Sequence, residues 1–308
     1  MKFFKSKNIL TALFGASLLF QSCSKDSLQK DPTASIPPAT VFATVDNGWA
    51  AINGIYKYLY SQWYSNQALG GQSGNIIYME ILGEDFLMPE QSNGWFISEY
   101  RWLGHRVGTS MIVRFNYQYF YSIIANCNQI LANMDNATRS PVDKDNIKGQ
   151  AYAMRAWSYF NMVRLYGERY KPEGGNTTMG VPLVLVPTTE VAARSTVEEV
   201  YTQINADLFE AETLLAGKTR KHISHLNVAA VQGFKARVAL EQGKWAIAAD
   251  LAGKARQGTS LMNATQLMEG FSNRTNPEWI WGIEHRTDQT TYFYSYYAYL
   301  GDFASTNT

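Results

Sequence analysis

The residue types that could do chemistry are scattered along this 308-residue chain rather than gathered. His222 and His225 stand as an HxxH pair. One face of a helix could hold a metal that way, but no third ligand lies nearby, and the pair is expected to cap or solvate a helix start. Glu84 and Asp85 could act as acid and base only if a second carboxylate faced them across a cleft. Leu69-Gly70-Gly71-Gln72-Ser73-Gly74 is glycine-rich but lacks the GK[ST] that holds a phosphate. No G-x-S-x-G nucleophile turn occurs. The sequence therefore predicts no catalytic constellation, no metal and no cofactor. What remains is binding chemistry. A sugar ring offers an apolar C–H face to an aromatic plane and a hydroxyl edge to amides, carboxylates and guanidinium groups. Two stretches combine those types: Asn93 with Trp95, and Arg286 and Asp288 followed by Tyr292, Tyr294 and Tyr296. These seven residues are the candidate ligand contacts.

The elements that must position them read as mainly α. Residues 140–167 form the central helix: Ser140 can cap it, Pro141 fits its first turn, and Gly167 can stop it. Ala153, Ala156, Trp157, Phe160 and Val163 make one apolar row, and Ile147, Ala151, Met154, Met162 and Leu165 a second, so this helix is predicted to be enclosed. Arg155 and Arg164 lie nine residues apart and point to opposite sides, each needing its own partner. Residues 181–187 are extended, because Pro182 and Pro187 forbid helix.

A first helix starts near Thr44, and a second covers about 110–134 with Cys127 on its buried row. Ser195 and Glu198 are spaced as a capping box for a fourth. Two shorter helices meet near Gln242-Gly243 and pair as a tetratricopeptide-like hairpin. Between 65 and 108, seven glycines are expected to break any long element, leaving irregular binding loops. Trp279 to Ile283 reads as a short strand. The predicted fold class is a tetratricopeptide-like helical layer with long irregular loops and little strand.

The order Ala151-Tyr152-Ala153-Met154-Arg155-Ala156, Tyr159-Phe160, Leu165-Tyr166-Gly167 and Gly180-Val181-Pro182-Leu183 resembles the central signature of the SusD/RagB family. Asn53-Gly54-Ile55-Tyr56 and Ile81-Leu82-Gly83-Glu84-Asp85 resemble two earlier segments of it, and the resemblance runs over roughly residues 23–300. It implies a non-enzymatic outer-membrane lipoprotein that captures an oligosaccharide for a SusC-like TonB-dependent transporter. Some family members capture peptides instead. An α-helical glycoside hydrolase would need two facing cleft carboxylates, and a protein-binding tetratricopeptide scaffold would need more complete repeats. Family members are usually longer, so a C-terminal portion is expected beyond this chain, with an apolar patch where it would dock.

The N-terminus fits that reading. Lys2, Lys5 and Lys7 precede an apolar run, Ile9 to Phe20, too short to span a bilayer comfortably. Ser22-Cys23 resembles a lipoprotein cleavage site, with Cys23 as the lipid attachment. The expected organisation is a signal peptide at 1–22, a tether at 23–43, a helical domain at 44–217, and at 218–308 a hairpin with the start of a C-terminal region. Without residues 1–22 the chain carries 24 basic and 26 acidic residues, which gives no electrostatic case for nucleic acid. With Cys23 lipidated, Cys127 has no partner and no disulfide framework exists. The expected location is the outer membrane, lipid-anchored and facing the cell exterior.

Overall fold

The structure is a computed structural model. It describes residues 37–83, 86–89, 93–138, 140–270, 273–284, 288–289, 291 and 293–304. Cys23, Glu84, Asp85, Arg286 and Tyr292 lie outside the described residues, so the roles expected of them stay as expectations. Pro38–Val41 forms one helical turn (α1). Residues Phe42–Thr308 pack as a unit of their own.

Within that unit, Thr44 caps α2 (Val45–Tyr58) by accepting the Asn47 N–H. Its apolar residues Trp49, Ile52, Ile55 and Tyr56 are buried, while Trp63 falls in a short hairpin beyond the helix. That hairpin pairs β1 (Gln62–Trp63) antiparallel with β2 (Asn66–Gly70). Next comes α3 (Gly71–Ile81), an eleven-residue helix where glycines were expected to prevent one. The glycines there serve close packing. A Cβ on Gly71 would lie 2.6 Å from the Leu59 carbonyl oxygen, and Gly71 has φ +49°; a Cβ on Gly74 would lie 2.7 Å from the Ala68 carbonyl oxygen. A single turn, α4 (Ile97–Tyr100), leads toward α5 (Met111–Asn133), in which Cys127 is a free, buried thiol.

Helix α6 (Pro141–Tyr166) has the predicted ends: Ser140 accepts the Asp143 N–H, Pro141 opens it, and Gly167 follows its last residue. Every residue from Ala153 to Val163 is buried, so this stretch of the helix is enclosed on all sides. Arg155 finds its partner in Asp207, whereas Arg164 is exposed with its guanidinium 5.2 Å from the Phe160 ring centroid. Beyond α6, β3 (Met179–Pro182) pairs antiparallel with β4 (Arg194–Thr196). The extended chain after β3 is held by side chains rather than by a ladder. Tyr121 donates to the Pro182 carbonyl at 2.7 Å, Asn128 to that of Val184 at 2.8 Å, and Arg155 to that of Leu185 at 3.2 Å. Tyr159 both donates to the Val184 carbonyl and accepts its N–H. The Arg, Tyr and Val-Pro-Leu positions that stood out in the sequence are thus two sides of one junction, joining helices to an extended strap whose backbone needs partners.

Thr196 and Glu199 form the capping box of α7 (Val197–Leu215), one residue after the Ser195/Glu198 pair expected from spacing. The ladder decides the register, because β4 runs through Thr196 and delays the helix. Helices α8 (Val228–Glu241) and α9 (Trp245–Ala255) form the expected hairpin, with Ala236, Ala239, Ala248 and Leu251 packed at its seam. Asn227, not a histidine, caps α8. From α5 to α9 each long helix packs on the next, which gives the helical layer. A short helix, α10 (Ala264–Met268), follows. Trp279 to Ile283 is not a strand: the Ile280 carbonyl accepts from Arg220 and the Gly282 N–H reaches the Ile223 carbonyl, so no continuous ladder forms. The last described element is α11 (Tyr296–Ala304). Among the described residues no helix is long and apolar enough to cross a membrane.

Candidate functional site

An open cleft of about 480 Å³ lies between β2, the 94–99 turn, the 103–107 segment and the start of α5. Asn66, Trp95, Ser98, Glu99 and Ser110 supply its aromatic and polar lining, and Leu103, Val107 and Met111 its apolar rim. The backbone around it is bent hard. Phe96 has φ +59°, as does Trp102, and Tyr64 has φ +51° in the β1–β2 turn. Bulky residues rarely hold such angles, and they do so where surrounding packing over-determines them.

At Phe96 that packing comes from α11. Tyr299 is fully buried, and its hydroxyl donates to the Gln67 carbonyl and accepts the Gly70 N–H at 3.2 Å. Trp95 and Phe96 both meet the Tyr299 ring edge-on, with centroids 5.6 and 5.3 Å away. The β2 strand and the 94–99 turn are therefore locked by one phenol from the far end of the described chain. Phe96 goes into the core, while Trp95 stays half-buried at the cleft. Asp302 adds a second fastening: it accepts from the Asn93 backbone N–H at 3.3 Å and from the Asn93 side-chain amide. Burial pushes the Glu99 carboxyl up from its ordinary pKa, against small opposing contributions from a backbone N–H and from His105. A carboxyl that is half desolvated in this way gains from a ligand hydroxyl that hydrogen-bonds it.

The sequence-predicted contacts do not all meet here. Trp95 lines the cleft. Asn93 is next to it, but its amide is committed to Asp302. Tyr294 packs behind the cleft against Gly70, where an added Cβ would meet the Tyr294 carbonyl oxygen at 2.5 Å. Tyr296 is half-buried, edge-on to Tyr297 at 5.6 Å. Asp288 is exposed and faces elsewhere: its charge adds to burial in raising the pKa of Tyr60 just beyond α2. Sequence reasoning passed over Glu99, Asn66 and the backing residue Tyr299. Glu99 had a usable signal, an acid within a run of aromatic and apolar residues following Trp95. Tyr299 had none, since any of the neighbouring tyrosines fits equally well.

Known proteins resemble the chain in both sequence and fold. A SusD-like family profile described as starch-binding, associating with outer membrane, matches residues 57–240. A SusD-like protein of Formosa agariphila is 27% identical over 172 residues, which are 53% of this chain and 31% of that protein. The crystal structure of a SusD-like carbohydrate binding protein from Bacteroides vulgatus superposes with a TM-score of 0.72 at 25% identity, covering 81% of this chain and 52% of that one. A SusD superfamily protein from Bacteroides thetaiotaomicron, at 20% identity, shares the fold with a TM-score of 0.65 over 82% of this chain and 56% of its own. The chain thus spans about a third of the length of the curated relative and about half that of the solved structures. The profile match covers α5 to α8 together with the Trp95 cleft, and on that ground the chain belongs to the SusD-like family of carbohydrate-binding proteins that associate with the outer membrane.

Proposed function

We propose that this chain captures an oligosaccharide at the cell surface, without altering it, and delivers it to a TonB-dependent outer-membrane transporter. The observation that carries the reading is Trp95. It is a half-buried indole held by Tyr299 at a cleft of about 480 Å³ whose polar lining includes Glu99, Asn66 and Ser98. An aromatic surface beside hydrogen-bonding groups suits a sugar ring. Trp95→Ala is expected to weaken binding of soluble starch or another recognised glycan about tenfold or more, since a central aromatic anchor contributes on the order of 1–2 kcal/mol. Isothermal titration against a glycan panel measures this, and an unchanged affinity for every bound glycan rules the cleft out.

The apolar rim supports a second reading, a peptide ligand. Leu103 is 62%, Met111 52% and Val107 49% exposed, and such side chains suit apolar peptide residues. Titrating a peptide pool in parallel separates the two, because a peptide ligand would depend on the rim residues and leave the glycan panel silent.

Surface location is proposed to rest on lipid at Cys23. Cys23→Ala is expected to move the protein from the membrane fraction to the soluble fraction. Retention of the variant in carbonate-washed membranes would remove the anchor from the proposal.

A further inference from the structure

The cleft beside Trp95 carries a single charge. Among the described residues that line it, Glu99 is the one titratable side chain. Arg106, in the neighbouring 103–107 segment, is exposed and does not line the cleft. Glu99 itself is half-buried. Its ionised form is favoured by its own backbone N–H and by the charge of His105, and burial outweighs both. Tyr78, on α3, is the other titratable neighbour. Burial and the Glu99 charge push its phenol up to about 12, so it stays neutral and brings no compensating charge. A carboxylate half out of water and without a paired cation gains from a cation that a ligand brings.

Glycine at position 104 fixes where that carboxylate sits. Gly104 also lines the cleft, and the atoms nearest to the point its Cβ would occupy are Glu99 Oε1 and Ser98 Oγ, the latter at 3.0 Å. The missing side chain thus leaves room for two oxygens at one place in the wall, both carried by α4 just after Trp95. Asn66, the amide of the lining, is already committed. Its Oδ1 accepts the Ala68 N–H at 2.9 Å, and its Nδ2 lies 3.3 Å from Met111 Sδ. The uncommitted polar capacity around Gly104 is therefore rich in acceptors and negative. A uronate or sulfate ester would meet like charge there. A sugar hydroxyl gains an ordinary hydrogen bond, and an ammonium gains charge-assisted ones to both oxygens. Trp95 adds an indole, the ring that attracts a cation best. We propose that the Trp95 cleft takes amino sugars, with the ammonium of a non-acetylated hexosamine received by Glu99 and Ser98, in preference to neutral sugars and against acidic ones. This choice of sugar class rests on the proposed capture of carbohydrate at Trp95.

The test uses the full chain labelled with ¹⁵N-tryptophan. Glucose, glucosamine, glucuronate and lysine amide are titrated singly at pH about 6.5, below the ordinary amine range of about 7.7–8.0, while the Trp95 indole N–H resonance is followed. Glucosamine is expected to saturate the shift at about fivefold lower concentration than glucose, with glucuronate weaker than both. In Glu99→Gln the ratio of glucosamine to glucose affinity should fall to about one. Equal affinities in the wild type, or a preference that survives in Glu99→Gln, overturn the amino-sugar assignment and leave capture at Trp95 standing. A Trp95 resonance that responds to no sugar overturns both. Lysine amide, an ammonium without a sugar ring, is expected to bind more weakly than glucosamine. Equal binding would assign the carboxylate to a peptide amine and overturn the choice of an amino sugar.

Discussion

Replacing Arg155 by methionine is expected to destabilise the fold by about 3–5 kcal/mol, because it strands a buried carboxylate. Arg155 is 5% exposed and Asp207 1%. The guanidinium meets that carboxylate with both arms, Nε to Oδ2 at 2.8 Å and Nη2 to Oδ1 at 2.7 Å. Its remaining nitrogen, Nη1, donates to Asn128 Oδ1 at 2.9 Å and to the Leu185 carbonyl. Burial by itself would lower the arginine pKa, yet the hydrogen bonds and charge of Asp207 outweigh it and raise the value, so the guanidinium stays charged. In the variant Asp207 keeps only Gln203 Nε2, at 2.8 Å, as a donor among the described residues. The Leu185 carbonyl and Asn128 lose a donor too, which loosens the strap after β3. Arg155→Met with Asp207→Leu should recover part of the loss, because no buried charge is then left over. Urea unfolding of the wild type, the single variant and the double variant reads all three. A single variant within about 1 kcal/mol of the wild type would mean that the pair is not buried in solution.

The second large effect is a loss of stability in mild acid, traced to His225. Its folded pKa, about 4, lies below the unfolded value near 6.5. The unfolded chain therefore takes up a proton before the folded one does. The contribution is fully present above pH about 6.5 and is lost as pH falls toward 4. Burial dominates this shift, followed by the charges of His222, with its ring centroid 6.3 Å away, and of Lys221. Trp49, Tyr56 and Asn53 are the other groups against the ring, and none of them titrates in the window. Asp143, Glu212 and Glu284 have lowered pKa values and weaken the fold only on further acidification, so the informative range is pH 6.5 to 5. Urea midpoints across that range should fall steeply for the wild type. In His225→Phe the slope should flatten whatever its absolute stability. An equal slope in the variant would place the acid sensitivity in other groups.

How far the sequence reached depends on how local each signal was. Helix α6 was legible end to end, since Ser140, Pro141 and Gly167 act within a few residues of themselves and the two apolar rows repeat at the helical period. The same holds for α5 and for the α8–α9 hairpin with its small residues. The need for a partner at Arg155 was also legible, because a guanidinium on an enclosed helix must be answered. Its identity was not: Asp207 is 52 residues away, one carboxylate among many. Long-range contact likewise overruled three local readings. Glycines 71 and 74 read as breakers, yet they let α3 begin against the carbonyls of Leu59 and Ala68. The β3–β4 pairing moved the cap of α7 from Ser195 to Thr196. Trp279 to Ile283 has strand-like residues but, among the described residues, no neighbouring strand to pair with.

The candidate site divides along the same line. Trp95 could be chosen from sequence because its glycine- and asparagine-rich surroundings offer little core for an indole to enter. Its orientation could not, because it is set by Tyr299 and Asp302 from the opposite end of the described chain. Residue types and spacing determine which backbone conformations and which buried faces are favourable. Which atom faces which is decided only when the whole chain closes, and binding chemistry depends on that pairing.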